Sequence, residues 1–231
     1  MEKRVKTGIS GFDKVIEGGL ITNSINLISG GAGTGKTIFC LQYLYNGAKD
    51  FDEKGMYISF EESEEELKSD VEGLGLNFEL VADKVKFIHV PIYDLNDFLS
   101  LLRLEVEKFK PKRVVIDPMS AFAMPMEDDF ERRKQILKVK ETLKELNCTS
   151  MLSSEIPSDS ISGADSAGKF SRFEIEEFLC DSVIVLHYAG LGGESDRAIR
   201  VVKMRKTNHI RGPVPMVIGK GGMKVLGTKY T

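Results

Sequence analysis

The eight residues GGAGTGKT, at positions 30–37, combine four glycines with a lysine and a threonine. They match the pattern GxxxxGK[ST], in which the backbone N–H groups of a tight loop surround the phosphates of a nucleotide. The glycines permit positive φ and keep Cβ atoms away from the anion. Lys36 can reach the β and γ phosphate oxygens, where it would both bind and catalyse, and the Thr37 hydroxyl can ligate Mg²⁺.

The surroundings of this loop also suit a phosphate site. An apolar strand pattern, INLIS, precedes it, and a helical pattern, IFCLQYLYNGAK, follows it. A helix that begins near Gly35 would point the positive end of its dipole at the same anion. The alternative is a glycine-rich turn that matches by accident, which would need neither the strand nor the helix. We therefore predict a nucleotide site formed by Gly30, Gly31, Ala32, Gly33, Thr34, Gly35, Lys36, Thr37 and Ile38.

Three acidic residues follow strand patterns and could complete a hydrolytic site. Asp117 ends the run VVID, and Glu61 and Glu62 come directly after MYISF. The carboxyl ends of parallel strands face the ligand crevice, so these acids are expected beside the phosphates. Asp117 is predicted to hold the water shell of Mg²⁺, and one glutamate, preferably Glu61, to deprotonate the attacking water. A solvated rim is the alternative for the glutamates; the acids that follow are explained by a capping box from Ser63 to Glu66.

The order of apolar patterns predicts the fold class. Strand-type runs alternate with helical patterns over the first two thirds of the chain, which indicates an α/β fold with a mostly parallel sheet flanked by helices. After residue 180, VIVLHY and RAIRVVKM flank a turn-rich segment, which predicts a hairpin and antiparallel strands at the C-terminal end. We expect one domain over residues 1–231. The strand-type runs are 25–29, 56–60, 86–90, 114–117, 150–154 and 183–188.

Bulk composition argues against some classes of protein. The chain has 32 basic and 35 acidic residues and a net charge of −3, which does not suit a protein that mainly coats nucleic-acid backbone. No apolar run approaches the length needed to cross a bilayer and no secretory signal is visible, so we expect no membrane partner and a cytoplasmic location. The cysteines lack metal or redox spacing and are expected to be buried. His89 and His187 are expected in the core or at its rim.

Five ordered motifs resemble those of the KaiC group of RecA-superfamily ATPases, and the resemblance runs nearly end to end. They are TGISGFDKVIEGGL (7–20), GGAGTGKT (30–37), the glutamate pair in ISFEE, VVID, and KMRKTNHIRG (203–212). The resemblance implies a RecA-like P-loop fold, with ATP bound between the subunits of a hexameric ring and Glu61 as general base. It also implies that Lys203 and Arg205 extend to the γ-phosphate held by a neighbouring subunit, with Thr207 and His209 near the nucleotide.

Lys203 and Arg205 can also be interpreted without the resemblance. They stand two apart on a strand-like segment, so both should project to one face, where cations can neutralise charge on a transferring phosphoryl group. The alternative is an edge strand protected from aggregation by its cations. By the resemblance, Glu155 is expected to sense the γ-phosphate. Glu177 and Phe178 stand where the autokinase half of the family has its phosphorylated Ser–Thr pair, so self-phosphorylation is not expected there.

Three functions remain open at this point. The preferred one is a Mg²⁺-dependent, ring-forming regulatory ATPase that hydrolyses slowly. The second is a recombination-type protein on single-stranded DNA, and the third is a nucleotide-loaded scaffold for protein partners. The Ser-, Gly- and Asp-rich loop 156–172 is the expected contact for a protein partner. It carries only Lys169 and Arg172 against Asp159 and Asp165, which does not favour nucleic acid.

Overall fold

A computed structural model describes residues 2–91, 94–122, 128–156, 170–190, 192 and 196–227 of the chain. The strands are β1 (Arg4–Val5), β2 (Leu20–Ile21), β3 (Ile25–Gly30), β4 (Gly55–Ser59), β5 (Val85–His89), β6 (Arg113–Asp117), β7 (Thr149–Glu155), β8 (Ser182–Tyr188), β9 (Arg197–Met204), β10 (Pro213–Gly219) and β11 (Gly222–Val225). The helices are α1 (Phe12–Val15), α2 (Lys36–Phe51), α3 (Glu64–Glu72), α4 (Leu95–Phe109), α5 (Asp129–Glu145) and α6 (Glu176–Leu179), and 3₁₀ turns cover Phe78–Val81 and Met119–Phe122.

The central sheet has the strand order β11-β10-β9-β8-β3-β7-β6-β4-β5. From β8 to β5 the neighbouring strands pair in parallel, and from β8 to β11 they pair antiparallel. β1 and β2 form a separate antiparallel pair. The predicted α/β fold, with antiparallel strands at its C-terminal end, is therefore confirmed.

Both faces of the sheet are covered, as continuous apolar strands require. One apolar cluster packs α2 and α3 against one face. A second cluster packs α4 and α5 against the opposite face. The three cysteines are free and buried, as predicted. The resulting layers leave the carboxyl ends of the parallel strands as the place where a site can form.

Several local predictions are confirmed. Ser63 and Glu66 form the expected capping box at the start of α3. His89 and His187, near the carboxyl ends of β5 and β8, are exposed and therefore belong to the rim. Of the predicted partner loop 156–172, residues 157–169 lie outside the described part of the chain. No helix within the described ranges combines the length and the apolar character that crossing a bilayer demands.

A fully buried arginine ties the N-terminal segment to the sheet. Arg113, at the start of β6, donates from Nε and Nη2 to Glu53 Oε2 at 2.9 and 2.6 Å. It also donates to Tyr43 O at 2.8 Å and to Lys6 O at 2.9 Å. Its guanidinium lies 4.7 Å from the centre of the Tyr43 ring. The buried charge is thus paired and hydrogen-bonded, which is the condition under which such a group is tolerated.

Candidate nucleotide site

The glycine loop lies between the carboxyl end of β3 and the start of α2. Gly33 and Gly35 have φ of 70° and 99°, in the left-handed region that favours glycine. A Cβ added at Gly30 would lie 2.6 Å from Thr34 Oγ1 and 2.7 Å from Leu186 O. Gly35 is the N-cap of α2 and no side chain caps this helix, so its first N–H groups can donate to an anion.

The lysine of the loop lies against the loop backbone. Lys36 Nζ donates to Gly30 O and to Gly31 O, both at 3.0 Å. Thr34 Oγ1 donates to Gly31 O at 2.9 Å, which closes the bend. The ammonium group and the helix N-terminus therefore act on the same concavity, and both favour a bound anion.

Asp117, the last residue of β6, is held by hydroxyl groups from three other elements. The Ser153 hydroxyl donates to Oδ1 and the Tyr57 hydroxyl donates to Oδ2. Thr37 Oγ1 donates to Oδ2 at 3.5 Å. Burial, followed by the charge of Asp117, raises the pKa of Tyr57 well above its usual value, so the phenol remains a neutral donor. The carboxylate is thereby fixed beside the first turn of α2.

These groups border one pocket of about 280 Å³ at the carboxyl ends of the parallel strands. Glu155, the last residue of β7, is at its wall and pairs with Arg172 at 3.3 Å. The predicted base, metal ligands and phosphate loop are thus brought together. The lining includes Lys36, Thr37, Glu61, Glu62, Asp117 and Glu155.

The two glutamates after β4 have shifted acidities. Partial burial raises the pKa of Glu61, and the charges of Glu155 and Asp117 raise it further. Partial burial also raises the pKa of Glu62, followed by the charges of Asp70 and Asp117. Both carboxylates therefore hold a proton more readily than an exposed glutamate does. Glu61 is the one whose pKa depends on the charge of Glu155.

The donor set suits a magnesium nucleotide. Thr37 Oγ1 and Asp117 Oδ2 are oxygens 3.5 Å apart, and Mg²⁺ prefers oxygen ligands. Within the described ranges no three His, Cys, Asp or Glu side chains gather as a metal site. Mg²⁺ bound with a nucleotide takes one or two protein oxygens together with phosphate and water.

Sequence reasoning missed Arg197, the first residue of β9. Its Nη1 donates to Gly33 O at 2.6 Å, and its guanidinium lies 3.9 Å from the centre of the Tyr188 ring. This cation–π pair forms a side wall of the glycine loop. The predicted hairpin could have indicated this contact, because Tyr188 ends β8 and Arg197 begins β9 on either side of its turn.

The residues predicted to act across a subunit boundary begin towards the amino ends of the parallel strands, away from the glycine loop. Through β8, Gly30 aligns with Ile199, whereas Leu27 aligns with Lys203. At about 3.3 Å per residue, Lys203 is set back from the loop by about 10 Å along the strands. Arg205 lies one step beyond the start of β8, where its N–H donates to Asp181 O at 3.0 Å. Thr207 and His209 follow in the turn that leads to β10.

One part of the prediction for the two cations is wrong. β9 ends at Met204, and Lys206 has a φ of 55°, so Arg205 lies in a turn. The alternation of side chains along a strand therefore does not set the direction of Arg205. The turn forms because Lys206 adopts the left-handed conformation, which a strand pattern does not indicate.

The two cations nevertheless contact the same segment before β8. Lys203 Nζ donates to Glu177 O at 3.1 Å and to Cys180 O at 2.8 Å. Arg205 Nη1 lies 3.8 Å from Asp181 Oδ1. Partial burial lowers the pKa of Lys203, and the charge of Arg205 lowers it further. The pair thus forms one cationic cluster, although only Lys203 belongs to the strand.

Comparison with known proteins agrees with this architecture. The family model of the KaiC ATPase matches residues 5–230. Circadian clock oscillator proteins KaiC of Parasynechococcus marenigrum and Prochlorococcus marinus are 31% and 32% identical over 235 residues, which cover 96% of this chain. The chain spans less than half of these relatives, 44% and 46% of their length. The crystal structure of a KaiC-like protein from Pyrococcus horikoshii is 34% identical, with a TM-score of 0.86 over 98% of this chain and 100% of that chain. This chain therefore belongs to the KaiC family of RecA-type ATPases.

Proposed function

We propose that this protein binds ATP with Mg²⁺ and hydrolyses it to ADP and phosphate, as a ring-forming regulatory ATPase. The observation that carries the proposal is the convergence of the glycine loop, the Thr37–Asp117 oxygen pair and Glu61 on one pocket. Phosphoryl transfer needs these three parts: an anion cradle, metal ligands and a group that activates water. Membership of the KaiC family supports ATP as the nucleotide.

The glycine loop and the first turn of α2 bind the phosphates in this proposal. The Lys36 ammonium, which is held at the loop backbone, would neutralise the β and γ oxygens. Thr37 and Asp117 hold Mg²⁺, which supplies positive charge to the phosphate oxygens when bound. The hydroxyl groups of Tyr57 and Ser153 keep the Asp117 carboxylate in one orientation.

We assign the role of general base to Glu61. Its pKa is raised by partial burial and by neighbouring carboxylates, so it accepts a proton more strongly than an exposed glutamate. The charge of Glu155 at the pocket wall contributes to this shift, which links the predicted γ-phosphate sensor to the base. Glu62 shares the raised pKa, and its backbone N–H is occupied by Ser59 Oγ at 2.9 Å.

Hydrolysis depends on assembly in this proposal, because Lys203 and Arg205 lie away from the loop of their own chain. We assign them to the γ-phosphate held by the neighbouring subunit of a hexamer, with Thr207 and His209 at the same nucleotide. Cations placed where charge develops stabilise the transition state of phosphoryl transfer. The setback of Lys203 by about 10 Å along the strands supports action in trans.

Phosphate release, measured beside light scattering with and without ATP and Mg²⁺, tests the proposal. The assembled protein should release phosphate, and Glu61→Gln should slow the release by about 100-fold or more. Glu62→Gln is the matched control and should release phosphate at nearly the rate of the unmodified protein. Arg205→Ala should slow release by about 1,000-fold, whereas Arg211→Ala, at an exposed position of the same segment, should not.

Two results would contradict the proposal in different ways. An assembled protein that retains ATP but releases no phosphate would leave only a nucleotide-loaded scaffold. A monomer under every condition would remove the role of Lys203 and Arg205 in trans.

A further inference from the structure

The guanidinium of Arg4 joins two segments that are far apart in sequence. Its Nη1 donates to Ile16 O at 3.2 Å, to Gly19 O at 2.9 Å and to Thr207 Oγ1 at 3.1 Å. Its Nη2 donates to Lys206 O at 3.4 Å. The side chain is only 18% exposed, and the three bonds from Nη1 are partly buried. Arg4 thus connects the loop after α1 to the turn after β9.

Glu17 holds the same turn from the loop after α1. Its Oε2 accepts from Arg4 Nη2 at 3.1 Å and from the backbone N–H of Asn208 at 3.0 Å. Beyond the turn, the Ile210 N–H donates to Val15 O at 2.9 Å. The turn is therefore held by a carboxylate and a guanidinium that also bind each other.

The turn needs such support from its surroundings. Lys206 has a φ of 55°, a conformation that residues other than glycine keep only where neighbouring groups impose it. Thr207 Oγ1 donates to Arg205 O at 3.2 Å, so hydrogen bonds run from Arg4 through Thr207 to the Arg205 carbonyl. The Arg205 N–H donates to Asp181 O at 3.0 Å. The backbone of Arg205 is thus bonded on both sides.

We propose that Arg4 and Glu17 are positioning residues, which hold the turn 205–208 so that Arg205 meets the phosphates bound by the neighbouring subunit. This inference rests on the proposed function, since the turn matters for catalysis only if Arg205 acts in trans. The Arg205 side chain is 56% exposed and has a long contact of 3.8 Å with Asp181. Its reach is therefore set mainly by the backbone beneath it, and a displacement of about 1 Å at a reacting group can slow a reaction by about 100-fold.

A simpler explanation is that the ion pair only fastens the N-terminal strand. Ion pairs with exposed partners often contribute little to stability, and Glu17 is 45% exposed. The two explanations differ in what they change. Fastening affects the unfolding temperature and leaves turnover intact, whereas positioning affects turnover and does so through Arg205.

The test compares kcat and KM for phosphate release by assemblies of Arg4→Ala, Glu17→Ala, Glu17→Gln, Arg205→Ala and the double variant Glu17→Ala/Arg205→Ala. Arg103→Ala is the control, because its pair with Glu145 at 3.0 Å is an exposed ion pair on α4 and α5. Glu17→Ala and Arg4→Ala should lower kcat by about tenfold at an unchanged assembly size. Glu17→Gln should recover part of the loss, since its amide oxygen can still accept from Asn208. Hydrogen exchange of the amides in 206–210 should become faster in Glu17→Ala.

The double variant decides between the explanations. Once Arg205 is absent, removing Glu17 should add less than about twofold to the loss of kcat. If the losses of kcat in Glu17→Ala and Arg205→Ala multiply in the double variant, the positioning role is overturned. A normal kcat in both Arg4→Ala and Glu17→Ala, with Arg205→Ala impaired, would overturn it as well. In either case the proposed ATPase function would stand. A normal kcat in Arg205→Ala would instead refute the action of Arg205 in trans, on which the inference rests. If Arg4→Ala fails to fold, the Glu17 variants, at a half-exposed side chain, still give the answer.

Discussion

The left-handed glycine at the start of α2 allows a quantitative prediction for Gly35→Ala. Gly35 has φ 99° and ψ 24°, and an alanine held there costs about 1–3 kcal/mol of unfolding free energy. The added Cβ would lie 2.7 Å from Ile218 Cδ1 and 3.2 Å from Met223 Cε, so those side chains must also shift. For a chain of 231 residues each kcal/mol lowers Tm by about 2–4 °C, which gives a loss of about 2–12 °C.

The assays are thermal unfolding and equilibrium binding of ATP with Mg²⁺. Gly75→Ala is the matched control, because Gly75 also has a positive φ, 85°, but an added Cβ would meet no atom within 4 Å. Both variants should lose stability, and Gly35→Ala should lose more. Gly35→Ala should also bind ATP at least about tenfold more weakly, because a shifted helix start moves the N–H groups that face the phosphates. Gly75→Ala should bind it normally.

Normal ATP affinity in Gly35→Ala would refute this reasoning. It would mean that the backbone at the start of α2 does not set the positions of the amides that bind phosphate. If Gly35→Ala and Gly75→Ala lower Tm by the same amount, the close approach of Gly35 to Ile218 of β10 is contradicted.

Three further predictions concern the site and its support. The acidic limb of the pH profile of phosphate release should lie above the ordinary glutamate pKa of 4.5, because the base must be deprotonated and the pKa of Glu61 is raised. Glu155→Gln removes a negative charge that raises this pKa, so the limb should move to lower pH. A limb that does not move would contradict this coupling. Arg113→Met removes every donor of the buried guanidinium and leaves the Glu53 carboxylate only its 3.6 Å pair with the exposed Lys112, so it should cost about 3–5 kcal/mol in chemical unfolding. Arg103→Met at the surface should cost less than about 1 kcal/mol, and equal costs would show that the buried pair is not special. Asp117→Asn keeps the shape but loses the charge, so half-maximal activity should need at least about tenfold more Mg²⁺, and an unchanged titration would remove Asp117 from the metal site.

The parts of the site that could be predicted from sequence have local signals. The glycine loop is a short contiguous pattern between a strand and a helix, and α2 begins where Gly35 indicated. Asp117 and Glu61 each end or follow an apolar strand run, and the rule for parallel sheets places such residues on the ligand side. Strand order was not needed for these predictions.

The parts that were missed depend on contacts between distant segments. Tyr57 and Ser153 meet Asp117 only because β4 and β7 flank β6 in the sheet. Arg197 reaches Gly33 across 164 positions of sequence. No periodic pattern carries such information, because side-chain alternation describes one strand and not its neighbours. The prediction that placed Arg205 on the same strand as Lys203 is wrong for a related reason, because side-chain alternation does not indicate the left-handed conformation of Lys206 that ends the strand.

Because β9 runs antiparallel to β8, Lys203 and Arg205 lie towards the amino ends of the parallel strands, whereas the pocket of the same chain lies at their carboxyl ends. If the cations act in trans, each active site takes Glu61 from one chain and Arg205 from the neighbouring chain. Two variants with different defects can then complement each other. When Glu61→Gln and Arg205→Ala chains assemble at random in equal amounts, about a quarter of the subunit boundaries would have both an unaltered Glu61 and an unaltered Arg205. Those boundaries would release phosphate. Assemblies of either variant alone would release phosphate only slowly. Recovery on mixing would therefore show, without any image of the assembly, that each site takes residues from two chains.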